Sequence, residues 1–381
     1  MEYRVISADC HIDLIWLPSE LFVENASTAM KERMPYVRES EDGPVWVSNQ
    51  GAYFGLQNGM GSAGRNYVPG QIHRSDCMAS TGLYEDGKKG IRRITDPELR
   101  IGDQDLDGVQ GEVLYGILGA AQRLGDPPAA EEMMRIYNDW LIVFCSSAPE
   151  RFAGIACIPS HDMQTAVEEI RRVGSKGVLR GLEVAITSAL KPLWHPEWHP
   201  VWESAQETGL PVHFHTIGGK RPSTEGLTQL QTRQSFACWL TGFQLQMSEK
   251  LMQMIYGAVF EKFPALQLVI GESGIGWIPY ILERMDLEWE EQFRDLELTM
   301  KPSNYWRRNC HATFQSDPAG LKLIDRLGAE NVMWASDFPH PDGVWPDSLE
   351  TIREEFAEVS DAVRQKIICD NAHSLYRFGA A

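Results

Sequence analysis

Short apolar and β-branched runs alternate along this chain with segments of helical periodicity. The runs predict eight strands, which are Arg4–Ala8, Glu112–Ile117, Phe152–Ile158, Val178–Ile186, Pro211–His215, Leu266–Glu272, Asn309–Phe314 and Val332–Ser336. Apolar positions with helical spacing predict helices at Glu131–Ser146, Met163–Val173, Pro200–Thr208, Glu249–Phe263, Ile278–Phe293, Leu321–Leu327, Ser348–Glu358 and Asp361–Leu375. Strands that alternate with helices are typical of βαβ units and a parallel sheet. The pattern therefore predicts an α/β protein with the architecture of a (β/α)₈ TIM barrel.

The connection between the first two predicted strands is far too long for a simple βα loop. It runs from about residue 16 to residue 107 and is rich in Gly, Ser, Asn and charged residues. We interpret it as an insertion (16–107) within a single barrel domain that spans 1–381. We expect this long insertion after the first strand to line or cover the mouth of the barrel.

Composition narrows the class of protein. The chain has 381 residues, of which 43% are hydrophobic, and this suffices for a large core. Its formal net charge of -18 disfavours nucleic acid or anionic lipid as the main partner. We therefore expect a small-molecule substrate, and a homo-oligomer stays open. The seven Cys include no C-x-x-C pair, which fits a reducing compartment. Neither a membrane span nor a signal sequence is visible in the sequence. We therefore expect a cytoplasmic protein.

The first predicted strand leads directly into Asp9-Cys10-His11. Residues two apart on a strand point to the same face, so the Asp9 carboxylate and the His11 imidazole project together. Such a pair can hold a divalent cation. Because acid-x-His sequences also occur by chance, the pair gains weight only from similar groups at other strand ends.

Three other predicted strands end in groups of the same kind. His215 ends the fifth strand, Glu272 ends the sixth, and Asp337 follows the eighth, with His340 three residues later. In a (β/α)₈ barrel the carboxyl ends of the strands meet at the face that carries the chemistry. Together with Asp9-Cys10-His11, these residues supply six ligand-type groups at four strand ends. Core packing rarely produces that coincidence, so the sequence predicts a metal site there.

The remaining acidic and histidine positions have simpler interpretations. His213 shares a face with His215 but lies one layer deeper, so we expect a hydrogen-bonded histidine of the barrel interior. Asp13 lies past the strand end, where a loop hydrogen bond is the better prediction. His195 and His199 lie in a turn before a helix and are expected to be capping and surface residues. Four further histidines have no ligand-like neighbours in the sequence, and these are His73, His161, His311 and His373. Of these, His311 lies in the seventh predicted strand and could face the site.

These motifs resemble the amidohydrolase superfamily, and within it the amidohydrolase-2 branch that includes aminocarboxymuconate semialdehyde decarboxylase and γ-resorcylate decarboxylase. The likeness runs from end to end and rests on the acid-x-His opening, Pro211-Val212-His213-Phe214-His215, Phe263-Pro264-Ala265-Leu266 and Ser336-Asp337-Phe338-Pro339-His340. It implies a metal-dependent barrel in which four residues hold the ion, and these are Asp9, His11, His215 and Asp337. In many relatives the sixth strand ends in a histidine that acts on the substrate, whereas this chain has Glu272 there.

Three reactions fit such a site. The leading hypothesis is hydrolysis of an amide, lactone or related carbonyl compound by metal-activated water, with Asp337 as the proton carrier. Glu272 could carry a second proton, and His340 could stabilise an oxyanion or orient Asp337. The first alternative is a dinuclear non-haem iron or manganese oxygenase, in which Glu272 and His340 bind a second metal. The second alternative is non-oxidative decarboxylation of an aromatic or unsaturated carboxylic acid.

Neither the substrate nor the metal is named by the sequence. Carboxylate and imidazole ligands suit Zn, Mn and Fe alike, and one or two ions per chain are compatible with the six groups. Within the insertion, the candidates for binding an anionic group are Arg65, Tyr67, His73 and Arg74.

Overall fold

The computed structural model describes residues 4–186, 190–216 and 223–379. Its strands, in chain order, are β1 (Ile6–His11), β2 (Tyr36–Arg38), β3 (Val45–Val47), β4 (Tyr53–Leu56), β5 (Gly111–Tyr115), β6 (Phe152–Ile158), β7 (Gly181–Val184), β8 (Val212–His215), β9 (Leu268–Gly271), β10 (Cys310–Phe314) and β11 (Val332–Trp334). Eight of them form one sheet in the order β1-β5-β6-β7-β8-β9-β10-β11, and all neighbours in it pair in parallel. The predicted (β/α)₈ barrel is confirmed.

Helices follow the barrel strands and surround the sheet. In chain order they are α1 (Leu21–Asn25), α2 (His73–Ser80), α3 (Leu83–Lys88), α4 (Pro97–Asp107), α5 (Leu118–Arg123), α6 (Pro127–Ser146), α7 (Met163–Lys176), α8 (His199–Thr208), α9 (Gln229–Gly242), α10 (Gln246–Tyr256), α11 (Val259–Lys262), α12 (Ile278–Glu291), α13 (Pro302–Asn309), α14 (Pro318–Lys322), α15 (Ile324–Leu327), α16 (Ser348–Glu355), α17 (Asp361–Gln365) and α18 (Asn371–Tyr376). Within the described ranges, none of these helices combines the length and the apolar character that a bilayer crossing requires.

Helix α7 shows how the local sequence sets these elements. The Asp162 side chain accepts a hydrogen bond from the backbone N–H of Gln164 and caps the first turn. Gly177 adopts a left-handed conformation (φ 67°) immediately after the last turn, where a residue without a Cβ ends a helix at low cost. The face that turns toward the sheet is apolar and buried, and it carries Ala166, Val167, Ile170 and Val173.

The sheet closes into a barrel between β1 and the segment that follows β11. The backbone N–H of Asp337 donates a hydrogen bond to the carbonyl of Asp9 (2.9 Å), and the N–H of His11 donates to the carbonyl of Phe338 (2.8 Å). We call this pair of hydrogen bonds the closing seam. Because Asp9, His11 and Asp337 are predicted metal ligands, the barrel closes at the candidate site itself.

Several barrel strands end at other residues than predicted, and the ends of β9 and β11 concern the site. β9 ends at Gly271, so Glu272 lies just outside the strand that was expected to include it. Both Glu272 (φ 48°) and Asp337 (φ 56°) have left-handed backbones. Residues other than glycine rarely adopt this conformation, and it is concentrated at functional sites. The two carboxylates therefore leave their strands at sharp turns instead of continuing the pleat.

The helices also differ from the prediction, and two of the differences follow β8. The predicted helix at Glu249–Phe263 is interrupted at Ala258, whose φ is 53°, and the structure has α10 and α11 instead. Helix α9 was not predicted, because its apolar residues are not spaced along one face and none of its residues is buried.

The long segment after β1 contains α1 to α4 and a small antiparallel sheet of β2, β3 and β4. Arg100 of α4 joins it to the barrel. This guanidinium is completely buried, and it donates from Nε to Glu112 Oε2 (2.7 Å) and from Nη1 to the carbonyl of His11 (3.0 Å). The segment is therefore anchored directly behind one of the predicted metal ligands.

Candidate metal centre at the carboxyl ends of the strands

Four side chains from three parts of the sheet converge inside the barrel mouth. His11 Nε2 lies 3.4 Å from Asp9 Oδ1 and 3.1 Å from Asp337 Oδ1, and His215 Nε2 lies 3.4 Å from Asp9 Oδ1. All four side chains are buried. The structure thus brings together the four residues that the family resemblance implies as ligands.

Among the described residues, the nitrogen and oxygen atoms that face one another in this group form no hydrogen bond of ordinary geometry. Asp9 Oδ1, His11 Nε2, His215 Nε2 and both carboxylate oxygens of Asp337 have no hydrogen-bond partner among the described residues. Buried polar atoms are nearly always hydrogen-bonded, so such a set of converging lone pairs calls for another partner. Two carboxylates and two imidazoles are ligands that divalent transition metals accept. The residues present therefore fit a divalent cation.

The charges of these groups depend on one another. Burial raises the pKa of the Asp9 carboxyl, but His215 and His11 outweigh this effect and hold its pKa well below the usual range. Burial and His340 lower the pKa of His11, whereas Asp337 and Asp9 raise it to about 9. Both shifts express the attraction between carboxylates and imidazoles that are packed together out of water.

Thr313 in β10 fixes the Asp9 carboxylate, although the sequence did not single it out. Its Oγ1 donates to Asp9 Oδ2 at 2.7 Å, and the backbone N–H of Glu272 reaches both Asp9 Oδ2 (2.9 Å) and Thr313 Oγ1 (2.7 Å). These contacts occupy Oδ2 and leave Oδ1 to face His11 and His215. The available signal was a polar residue near the end of an otherwise apolar strand.

Glu272 adjoins the metal group but has different partners. Its Oε2 accepts a hydrogen bond from Thr216 Oγ1 (2.9 Å) and lies 3.7 Å from His215 Nε2. Burial and the negative charge of Asp337 raise the pKa of Glu272 well above its ordinary value. This side chain can hold a proton at the edge of the metal group or, once ionised, approach the cation.

His340 links the metal group to a further acid. Its ring stacks on that of His11, with centroids 3.9 Å apart, and its Nδ1 lies 3.3 Å from Asp337 Oδ1. Its Nε2 lies 2.8 Å from Asp13 Oδ2, so the expected hydrogen bond of Asp13 is made to a side chain of the site. Burial lowers the pKa of His340, but Asp337 and Asp13 raise it well above the ordinary value.

Two more groups of side chains have the spacing of cation ligands. One consists of His11, Asp13 and His340, and the other of Asp337, His340 and Asp342. Both contain His340, whose two ring nitrogens already face carboxylates. The geometry is therefore compatible with one ion or with two, as the sequence was.

The other histidines are placed apart from this group. Tyr115 Oη lies 2.7 Å from Nδ1 of His213, and burial lowers the pKa of this histidine to about 3, so it is a neutral histidine of the barrel interior. His311 lies 3.3 Å from Gln267 Oε1 and belongs to none of the metal-type groups within the described ranges. His195 caps the turn before α8, and His199 begins that helix.

A cavity of about 180 Å³ opens beside the metal group. The loop Gly61–Arg65 of the insertion lines one side of it. Of the four candidates for anion binding, Arg65 reaches this cavity, whereas Tyr67 donates to Asp76 (2.7 Å) and Arg74 pairs with Asp347 (2.8 Å). His73, the fourth, is not among the lining residues.

Part of the cavity lining is aromatic. Phe236 and Trp239 of α9, and Phe243 just after it, stack in series with ring centroids 5.7 Å and 5.4 Å apart. Aromatic faces favour flat, apolar ligands. The cavity therefore has a cationic mouth, an aromatic wall and a metal-type group beside it.

Glu183 is a lining residue that the sequence did not indicate. It lies in β7 with only 2% of its surface exposed, and it borders the cavity. A glutamate inside a short strand is the signal that could have found it, because charged side chains rarely occupy buried strand positions.

Comparison with known proteins agrees with the barrel fold. A family model described as Amidohydrolase matches residues 9–378. The chain is 26% identical over 323 residues to γ-resorcylate decarboxylase of Polaromonas sp. JS666, covering 79% of this chain and 94% of that protein. The crystal structure of 5-carboxyvanillate decarboxylase from Sphingomonas paucimobilis superposes with a TM-score of 0.67 at 24% identity, over 99% of both chains. A dihydroxybenzoic acid decarboxylase of Polaromonas sp. JS666, solved with manganese and 2-nitroresorcinol, gives 0.60 at 22% identity over 80% of this chain and 93% of that one.

These relatives correct one expectation from the sequence. Hydrolysis of an amide, lactone or similar carbonyl compound was the leading hypothesis, and it is wrong, because the relatives are named as decarboxylases. The prediction gave too much weight to water activation, which any Lewis-acidic metal site can support. The decarboxylase alternative agrees with the comparisons.

Proposed function

The chain belongs to the amidohydrolase family, and from this premise we propose that it is a metal-dependent decarboxylase that releases carbon dioxide from an aromatic or unsaturated carboxylic acid without oxidation. The observation that carries the proposal is the set of converging lone pairs on Asp9, His11, His215 and Asp337 beside a cavity with an aromatic wall. The names of the relatives support the reaction.

We propose that Asp9, His11, His215 and Asp337 hold one divalent cation, with manganese as the first metal to test because a relative was solved with it. When bound, the cation supplies positive charge that binds the substrate carboxylate and a neighbouring oxygen. Thr313 and the Glu272 backbone orient the Asp9 carboxylate toward that position.

The reaction needs one proton and no oxidant. The bond between the carboxyl group and the neighbouring carbon breaks, its electron pair stays on that carbon, and a proton replaces the departing carbon dioxide. We assign delivery of the proton to Asp337, which is completely buried within the metal group. His340 lies 3.3 Å from Asp337 Oδ1 and orients it, while Asp13 fixes His340 from the other side.

Arg65 and the aromatic wall would hold the rest of the substrate. The wall of Phe236, Trp239 and Phe243 offers flat faces to a ring or a conjugated chain. Arg65 is exposed at the mouth and forms no ion pair within 4.0 Å in the part of the chain that the structure describes, so its charge is available to an anionic substituent. The insertion (16–107) would in this way determine which acid is accepted within the single barrel domain.

The location of the protein is part of the proposal. All seven cysteines are free, and five of them are buried. This usage supports a reducing compartment, and we propose the cytoplasm.

The proposed function is tested with protein reconstituted with Mn²⁺ and supplied anaerobically with a panel of acids. The panel includes 2,6-dihydroxybenzoate, 5-carboxyvanillate and unsaturated dicarboxylic acids, and carbon dioxide release is measured together with product identity. We expect release from at least one acid, loss of release after chelation, and recovery with Mn²⁺. Replacing Asp9 by Asn controls for metal-independent turnover. No release from any acid by metal-replete protein would contradict the proposal, as would a strict requirement for dioxygen.

A further inference from the structure

Glu183 is a buried acid that the metal group does not use. It lies near the carboxyl end of β7, 2% exposed, and forms part of the cavity lining. The sulfur of Cys157 lies 4.0 Å from its Oε2, and a backbone hydrogen bond from Gly116 reaches the carboxyl group. No Lys, Arg or His nitrogen lies within 4.0 Å of its carboxylate among residues 4–186, 190–216 and 223–379.

Other buried glutamates of the barrel are compensated. Glu112 in β5 accepts from Arg100 at 2.7 Å and from Gln104 at 2.9 Å. Glu169 in α7 accepts from Arg172 at 2.7 Å. An ionised carboxylate in a dry site costs several kcal/mol unless a cation accompanies it, and among the described residues no cationic nitrogen lies within 4.0 Å of Glu183. Its position at the cavity is therefore unexplained by packing alone.

Burial without a cationic nitrogen nearby among the described residues favours the neutral form of the Glu183 carboxyl group. Burial raises its pKa, and the negative charge of Asp9 adds to this effect, while His215, His11 and the Gly116 backbone oppose it. A neutral carboxyl group has one O–H donor as well as an acceptor oxygen. When the cavity holds an acid, an oxygen atom of that acid can accept the hydrogen bond from the Glu183 O–H group.

We propose that Glu183 is a specificity-determining residue, which stays protonated and donates one hydrogen bond from its carboxyl group to an oxygen atom of the bound acid. This inference rests on the proposed function, because it names a contact made by that same substrate. This role of Glu183 differs from the roles of Asp337, which belongs to the metal group, and Glu272, which adjoins that group. The bond selects acids with an oxygen on the β7 side of the cavity, since a ligand without one leaves a buried donor unpaired.

Binding is the first test. Mn²⁺-loaded protein is titrated calorimetrically with 2-nitroresorcinol and with 2,6-dihydroxybenzoate. Replacing Glu183 by Gln keeps a donor and should change affinity by less than about threefold, whereas replacement by Leu should weaken binding roughly tenfold or more. Cys145→Ala alters a buried thiol in α6 that is not among the residues lining the cavity, so it should bind as the wild type does. Equal affinities for the wild type and Glu183→Leu would overturn the proposal.

Infrared spectroscopy is the second test and does not depend on turnover. The difference between wild type and Glu183→Gln should contain the carbonyl band of a protonated carboxyl group, and that band should shift when 2-nitroresorcinol binds. A purely structural glutamate gives no ligand-dependent shift, and an ionised one gives no such band, so either result contradicts the proposal. If the wild type binds neither compound and releases no carbon dioxide, the proposed function fails, while the band still decides the state of Glu183.

Discussion

The backbone N–H of Glu272 donates a hydrogen bond to the Oδ2 atom of Asp9 at 2.9 Å. The end of β9 is thereby attached to the metal-type group through its main chain, whatever side chain stands at position 272. Thr313 makes the second contact to the same oxygen. Orientation of Asp9 is thus separable from the chemistry of the Glu272 side chain, and it can be tested separately.

Replacing Thr313 by Val should weaken metal binding. The substitution removes the hydroxyl donor to Asp9 Oδ2 while keeping the size of the side chain, and loss of such an orienting bond costs about 10- to 100-fold in metal affinity. Competition with a fluorescent chelator measures the change. Thr351→Val, which alters a buried threonine in α16, serves as the control. An unchanged Mn²⁺ affinity in Thr313→Val would show that Oδ2 needs no such support.

Removing the metal should lower the stability of the whole domain. A ligand that binds only the folded state adds about 2.7 kcal/mol at a hundredfold excess over its dissociation constant. Calorimetry before and after chelation should therefore show a lower melting temperature, which Mn²⁺ restores. His215→Ala should respond much less to added Mn²⁺. Identical melting curves for chelated and Mn²⁺-loaded wild-type protein would argue against a bound cation.

Asp337→Asn should abolish most of the turnover. An amide cannot deliver the proton, and loss of a general acid costs about 10²- to 10⁴-fold in kcat. Elemental analysis should show more residual metal in this variant than in Asp337→Ala, because the amide keeps a ligand oxygen that alanine lacks. A kcat above about a tenth of the wild-type value would remove Asp337 as the proton donor.

Arg65→Ala should raise KM for a dianionic acid by roughly tenfold while leaving kcat within about threefold of the wild-type value. The reason is that Arg65 stands at the mouth of the cavity and away from the reacting carbon in the proposed mode. Arg74→Ala is the matched control, since Arg74 pairs with Asp347. Steady-state kinetics gives KM and kcat for both variants. An equal rise in KM for the two substitutions would contradict a role of Arg65 in substrate binding.

Asp107 should make stability depend on pH. Burial raises the pKa of this carboxyl to about 7, against hydrogen bonds from Ser348 that lower it. The folded state therefore keeps a proton that the unfolded state loses, so this contribution is present at low pH and is lost as pH rises toward 7. Relative to Asp107→Asn, the wild type should lose about 2–3 kcal/mol of unfolding free energy between pH 5 and pH 8. A difference that stays constant with pH would show that Asp107 ionises normally.

The barrel and the convergence of His215 and Asp337 at one end of it were predictable because both follow from regular patterns. Alternating strands and helices predict parallel pairing, and parallel pairing brings His215 and Asp337 to one end although they are far apart in sequence. The left-handed turns at Glu272 and Asp337 were not predictable, since no glycine marks them. They depend on tertiary contacts that hold an unfavourable backbone conformation.

The residues missed by the sequence are those whose role depends on a single neighbour. Thr313 resembles any strand threonine until Asp9 is placed beside it. Glu183 is notable because no cationic nitrogen accompanies it in the part of the chain that the structure describes, and such partners cannot be predicted from one strand. Helix α9 carries aromatic residues that border a cavity instead of a core. Its sequence therefore lacks the apolar periodicity from which a buried helix is predicted.

The closing seam joins β1 to residues that lie roughly 320 positions later, which has a consequence for biosynthesis. A ribosome adds roughly 5–20 residues per second, so β1 waits for about 15–60 s before the partner of its free edge has been made. During that time Asp9 and His11 are already present, and their main-chain groups at that edge have no sheet neighbour. We expect a nascent chain stalled before residue 330 to be protease-sensitive at this edge, even where β5 to β9 have already paired.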